Sequence, residues 1–260
     1  MQGGTFAEVL QRADSIPLPL LKKMAQPDNV VIASERFFAF AGRDGSLLEG
    51  EMPRPPDFVR RTPILRGLAR LSAAVSPLLR REGVAGRRER LLLTAVLLTP
   101  IFFVFLSGTA TLVAGGLMTA ALLAWLLRGR TLYLHGAEHR AVQAAEEGNL
   151  VATWQGEAAP SRFSLRCGTN FVALVLPVGL LADWLWPFSP ALWTPLVVAV
   201  LSLGLSMELW RAVQSSTHRL ARVFLLPGLA LQRLTTREPS LAETRLALTA
   251  TASVLRRELP

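Results

Sequence analysis

The sequence predicts a mainly α-helical, polytopic membrane protein, with about four transmembrane helices in two hairpins and a small mixed α/β amino-terminal part in the cytoplasm. Three observations lead there. Apolar residues make up 51% of the 260, and they are concentrated in two long runs. The first, residues 91–127, contains no charged side chain, and the second, residues 168–207, contains only Asp183. Lysine and arginine crowd the flanks of both runs and are absent from the short turns inside them.

From the amino terminus, residues 1–61 read as a mixed α/β region. "NVVIASERFFAFAGRDGSLLEG" has the look of short strands, and Asp44-Gly45 supports a hairpin turn between Phe37–Ala41 and Ser46–Glu49. "RPPDF" interrupts this. Residues 62–90 then read as a basic amphipathic helix and linker. Thr62 is placed to cap, Pro63 suits the first helical position, and Ile64, Leu65, Leu68, Leu71, Val75 and Leu78 share one face. Such a helix suits either the cytoplasmic leaflet or the surface of the soluble part.

The run 91–127 is too long for one crossing at about 20 residues, so it reads as a hairpin broken at Ser107-Gly108-Thr109. The run 168–207 makes the second hairpin, with "PFSP" at its turn. Pro100 and Pro177 stand at matching places in the two hairpins, a thin trace of duplication. Arg80, Arg81, Arg87, Arg88, Arg90, Arg128, Arg130, Arg162, Arg166, Arg211, Arg219 and Arg222 all flank the spans on one side. The positive-inside bias therefore puts both termini and the 128–167 connection in the cytoplasm, in a multi-pass inner-membrane protein. Trp184, Trp186 and Trp193 then form an aromatic belt at the outer interface. No apolar core of a cleavable leader is found in residues 1–80. In the last segment, residues 208–260, "VFLLPGLAL" is too short to span, and Ser240 with Glu243 makes a capping box that opens a final helix.

The net charge of +9 is accounted for by positive-inside flanks and lipid contact rather than by nucleic acid or the ribosome. A single cysteine, Cys167, excludes an internal disulfide.

Chemistry is concentrated in "TLYLHGAEHRAVQAAEEGNL". His135, Glu138 and His139 lie at i, i+3 and i+4, so on a helix they leave one face within a turn. Two imidazoles at that spacing can share one zinc ion, and the carboxylate between them can act as general base. The H-x-x-E-H order is that of the inverzincins, in which a more distant acid is the third ligand. Glu146 returns to the same helix face. Cys167, just before the third span, and Glu208, just past the fourth, come to the same membrane depth as the histidines. Alternatively, Glu138 pairs with Arg130 or another arginine, and the polar residues form a salt-bridge network where a helix leaves the bilayer.

"LHGAEHRAV…E", "RCGTNF", "ELWR" and "LQRLTTREP" occur in that order, after "GGTFAEVLQR" and "TPILRG". In these motifs the chain resembles the YqhQ-like family of bacterial integral membrane proteins, a domain of unknown function described as predicted metal-dependent enzymes. The resemblance covers nearly the whole chain. It implies a site formed by His135, Glu138, His139, Glu146, Cys167 and Glu208, which match positions of the family motifs. Two departures stand out. Ser164-Leu165 replaces the His-Pro that usually precedes Arg-Cys-Gly-Thr, removing one histidine ligand, and Met207 stands where a tyrosine usually precedes the glutamate.

The function expected from this is metal-assisted hydrolysis at the cytoplasmic membrane face, with His135 and His139 as zinc ligands, Glu138 as base, and Cys167, Glu146 or Glu208 as further ligands. Two other classes fit the sequence. One is a non-catalytic accessory factor that binds another membrane protein, such as the insertion or secretion machinery. The other is a transporter, although the spans lack the buried charges and paired broken helices of a substrate path.

Overall fold

A computed structural model of the chain describes residues 6–26, 29–79, 108–126, 130–189, 191, 193–216 and 223–259, with residues 87, 90, 91, 94, 95 and 98. It is mainly helical, with one small antiparallel sheet near the amino terminus. The chain divides into two compact units. One comprises residues 1–53, 124–167 and 229–260, and the other residues 54–123 and 168–228.

In the first unit, strands β1 (Lys22–Gln26), β2 (Asn29–Ala33), β3 (Phe37–Gly42) and β4 (Leu47–Glu51) form an antiparallel meander in the order β1-β2-β3-β4. The expected hairpin is there. Gly45 takes φ +86, a conformation that glycine adopts without steric cost, and the Asp44 carboxylate accepts the Ser46 N–H at 3.0 Å. Strand β1 was not anticipated, because its Lys-Lys start and Gln end hide a weak alternation.

Helices α5 (Thr131–Glu147) and α10 (Leu241–Glu258) cover one face of this sheet. Val30, Ile32, Ala39 and Ala41 of the strands meet Leu134, Ala137 and Ala141 of α5, and Ala247, Leu248, Val254 and Leu255 of α10, in one buried core. The many alanines let backbone come close to backbone, which is why a modest set of large side chains suffices to fill the space. α10 opens with the expected capping box: Ser240 Oγ accepts the Glu243 N–H, and Glu243 Oε2 accepts the Ser240 N–H at 2.8 Å. Helix α1 (Phe6–Asp14) buries Leu10 and Ala13 in the same core, and its Asp14 carboxylate accepts the Leu150 and Val151 N–H groups at 2.7 and 2.9 Å, satisfying the start of α6 (Leu150–Gln155).

The second unit contains α2 (Asp57–Arg61), α3 (Leu65–Leu79), most of α4 (Gly108–Leu126), α7 (Gly168–Trp184) and α8 (Thr194–Ser215). α7 and α8 pack together as a helical hairpin. α3 crosses α8 at paired glycines: a Cβ on Gly67 would lie 2.8 Å from the Gly204 carbonyl oxygen, and a Cβ on Gly204 would meet Ile64. Helix α3 starts at Leu65, later than expected. Thr62 instead closes α2, its Oγ1 donating to the Phe58 carbonyl at 2.8 Å, and Ile64 holds φ +69 between the two helices.

Helix α8 runs on past the end of its apolar stretch to Ser215, so Glu208 lies within the helix rather than beyond it. Among the described residues α8 is the one helix long and apolar enough to cross a membrane, and α7 is a shorter apolar helix. α4 carries no charged residue and begins at the expected turn. The preceding arm, residues 91–107 with Pro100, and the basic flank 80–90 fall almost entirely outside the described residues. Helix α9 (Leu226–Thr235) takes up part of "VFLLPGLAL", with Pro227 in its first turn, where a missing N–H costs nothing.

Candidate metal centre

The first unit holds the site. α5 is buried on nearly every side, and its two histidines, one turn apart, turn toward Cys167, the last residue before α7. His135 Nδ1 lies 2.9 Å from the Thr235 carbonyl oxygen, which accepts only, so Nδ1 carries the proton and Nε2 presents a lone pair. That Nε2 is 3.0 Å from His139 Nε2 and 3.3 Å from Cys167 Sγ, with the two rings edge to face at 87°. The three donor atoms all lie within 4.8 Å of one another, a group that could hold a metal ion. Tetrahedral bonds of the usual Zn–N and Zn–S lengths put nitrogens about 3.3 Å apart and nitrogen and sulfur about 3.6 Å apart, so small adjustments would accommodate an ion.

Glu138 stands beside this group and is wholly buried. Its Oε1 accepts the Val31 N–H at 3.1 Å, and its Oε2 makes no hydrogen bond among the described residues. Desolvation raises its pKa from 4.5 to about 8, against the downward pull of His135, Val31 and Lys23. Burial is also the main cause that drives His139 far down, with the charges of Lys23 and His135 adding to it, so this ring is neutral, the form that binds metal. For His135 burial acts downward, but the hydrogen bond and charge of Cys167 and the charge of Glu138 outweigh it and raise the pKa.

Lys23 is the site residue that sequence reasoning missed. It pairs with Ile32 across the edge of the sheet, and cross-strand partners share a face, so its side chain enters the layer between sheet and α5. Its Nζ is buried and makes no hydrogen bond among the described residues. Desolvation lowers its pKa to about 8, opposed by the charges of Cys167, Glu138 and Glu146. The available signal was a lysine two residues after Leu21, in step with the alternation that buries Leu21.

The geometry explains why the motifs come as a set. The segment after α9 crosses α5 at Gly136, where a Cβ would collide with the Arg237 carbonyl oxygen, and Arg237 N–H donates to the Leu132 carbonyl at 2.9 Å. Arg140 donates to the Pro160 carbonyl at 3.1 Å and pairs with Glu238, which also pairs with Arg162. Thus "HGAEHR" and "TTREP" are two halves of one clamp that sets the His135 tautomer. At Ser164, where the resemblance expects histidine, backbone N–H and carbonyl both bond the Gln232 side chain, at 2.9 and 2.8 Å.

The structure brings together His135, His139 and Cys167, with Glu138 adjoining. Glu146 forms an ion pair with Arg166 at the wall of a cavity of about 640 Å³ lined also by Asp14, Leu21 and Gly148. Glu208 belongs to the second unit, where both its oxygens engage the Arg66 guanidinium and Arg211 lies 3.7 Å away. Arg130, a partner considered for Glu138, instead pairs with Glu243 at 2.6 Å.

Comparison with known families agrees with the motifs. The profile described as "Protein of unknown function (DUF1385)" matches residues 94–257. The chain belongs to this family. "Uncharacterized protein YqhQ" of Bacillus subtilis (strain 168) is 33% identical over 135 residues, which is 50% of this chain and 42% of that protein. The chain thus covers less than half the length of that relative. No solved structure matches. The DUF1385 match takes in His135, Glu138, His139, Cys167 and Thr235, whereas Lys23 lies ahead of it.

Proposed function

We propose that this YqhQ-like chain is a multi-pass inner-membrane protein that binds zinc through His135, His139 and Cys167 and uses it for hydrolysis at the cytoplasmic membrane face. The observation that carries the reading is the convergence of two imidazole nitrogens and a sulfur beside a buried carboxylate, one oxygen of which makes no hydrogen bond among the described residues. Sulfur with nitrogen donors favours zinc over magnesium or calcium, which take oxygen ligands, and three protein ligands are the pattern of catalytic sites. A bound dication would supply Lewis-acid polarisation of a substrate oxygen and a water of near-neutral pKa. Glu138 supplies the base. Val31 fixes Oε1, so Oε2 is held ready to accept the proton of an attacking water and return it to the leaving group.

The membrane reading is supported by the second unit's outward side chains. Leu117, Leu176, Leu180 and Trp184 are 68%, 69%, 65% and 79% exposed, on helices with almost no charge to offset them. Trp186 stacks edge-on with Phe188 and Trp193 at the turn between α7 and α8, as an interfacial aromatic cluster would.

The test is metal analysis of the full chain purified in mild detergent. About one zinc per chain is expected, lost on His135→Ala with His139→Ala, and retained in Glu138→Gln, which should fail to complement a deletion strain because the amide keeps shape without basicity. Full complementation by the metal-loaded Glu138→Gln variant would remove the base. Wild-type protein with no bound metal and none taken up on titration would remove the enzyme and leave a membrane accessory factor.

A further inference from the structure

Lys23 is an expensive residue to bury, and the metal reading does not use it. An ammonium brought out of water costs several kcal/mol unless it is paired and hydrogen-bonded. Here its Nζ is enclosed and bonded to nothing among the described residues, as is Glu138 Oε2 alongside. An inward-pointing lysine on an edge strand discourages sheet-to-sheet pairing, a role compatible with a second one inside the layer. The Lys23 side chain enters the layer between the sheet and α5, the layer in which Glu138 reaches the Val31 N–H of the neighbouring strand.

Counting charge shows what this arrangement accommodates. A dication, the Cys167 thiolate, the Glu138 carboxylate and the Lys23 ammonium sum to one net positive charge. A monoanion restores neutrality, and the Lys23 ammonium has N–H donors to give it. A cavity lined by Leu21, Glu146 and Arg166 has walls two residues along the chain from Lys23 and one residue from Cys167.

Resting on the metal site above, we propose that Lys23 is the anion-binding residue of that site, and that the substrate carries an anionic oxygen, phosphoryl or carboxyl, next to the bond that is cleaved. The lysine holds this oxygen while Glu138 manages the proton. Lys23 touches substrate and takes no part in holding the metal.

Cobalt replaces zinc and reports its surroundings by its visible spectrum, so the full chain in detergent is loaded with cobalt and titrated with inorganic phosphate, then with acetate. At least one of the two should perturb the spectrum saturably. Lys23→Met, which keeps volume and removes the charge, should show an unchanged cobalt spectrum before anion is added and an anion affinity about 10- to 100-fold weaker, the worth of a hydrogen bond from a charged group. Lys23→Arg should keep most of the affinity. Since the methionine variant loses an unpaired buried charge, it is expected to fold at least as stably as wild type, and thermal melting checks this. Equal anion affinities in wild type and Lys23→Met, or no saturable response in wild type, would overturn the proposal while leaving the metal site intact. Failure of cobalt to bind at all would overturn the metal site itself, and this proposal with it.

Discussion

Glu138 is buried and, among the described residues, hydrogen-bonded through one oxygen, and that environment has a consequence for pH. In metal-free protein it keeps its proton up to about pH 8, whereas the unfolded chain releases it near 4.5. The folded state binds the extra proton in that window. This contribution to stability is therefore fully present below about 4.5 and is lost as pH rises through about 8. Glu138→Gln has no such proton. In chelator-treated samples the melting temperature of wild type should fall relative to Glu138→Gln between pH 5 and pH 8, the shifts of Lys23 and His139 being common to both. A pH-independent difference would mean that the carboxylate is ionised throughout. Cys167 offers a second test at this scale. A thiolate committed to a metal alkylates slowly, so chelation should speed maleimide labelling severalfold, and added zinc should reverse this only where His135 and His139 are present. Circular dichroism controls for general opening. Unchanged labelling in protein shown to contain metal would remove Cys167 from the ligand set.

At the scale of the element, the site depends on two segments that lie far apart in the chain. Helix α5 supplies the histidines, and the segment that follows α9 sets the tautomer of one of them through Thr235. Their crossing is possible because residue 136 has no side chain. Gly136→Ala would push against the Arg237 carbonyl, a backbone group that cannot swing aside, at a cost of about 1–3 kcal/mol. Displacing that segment also draws Thr235 from His135, so metal affinity should drop about 10-fold or more. Gly116→Ala is the control, because a Cβ there meets nothing within 4 Å. If the two alanine variants bind metal alike, the crossing does not position His135.

For the whole molecule, the expectation to test is sidedness. The turns at Thr109 and Ser189 carry no positive charge, and in the proposed topology the arginines that flank the apolar runs lie on the opposite side. In a Cys167→Ser background, cysteines at Thr109 and Ser189 should react with impermeant maleimide from outside intact cells. A cysteine at Ser46, in the exposed turn of the sheet, should be protected until the cells are opened. Labelling of Ser46 from outside, or protection of either turn, would overturn the arrangement.

The H-x-x-E-H spacing, the capping box at Ser240, the Asp44-Gly45 hairpin and the apolar runs could all be read from the sequence, because each is decided by neighbours within a few residues. So could the pairing of His135 with His139. The place of Cys167 in their group was suggested by topology and family likeness, and tertiary structure put its sulfur 3.3 Å from His135. Tertiary structure alone decided the rest. Glu208 met Arg66 because two glycines let α3 close on α8, Glu146 met Arg166, and Arg130 went to Glu243. A charge has many partners available in sequence, and only the packed backbone selects one of them. Lys23 was hidden for the same reason. Its meaning comes from which face of an edge strand it occupies, and that face is defined only once the sheet has chosen its register against α5.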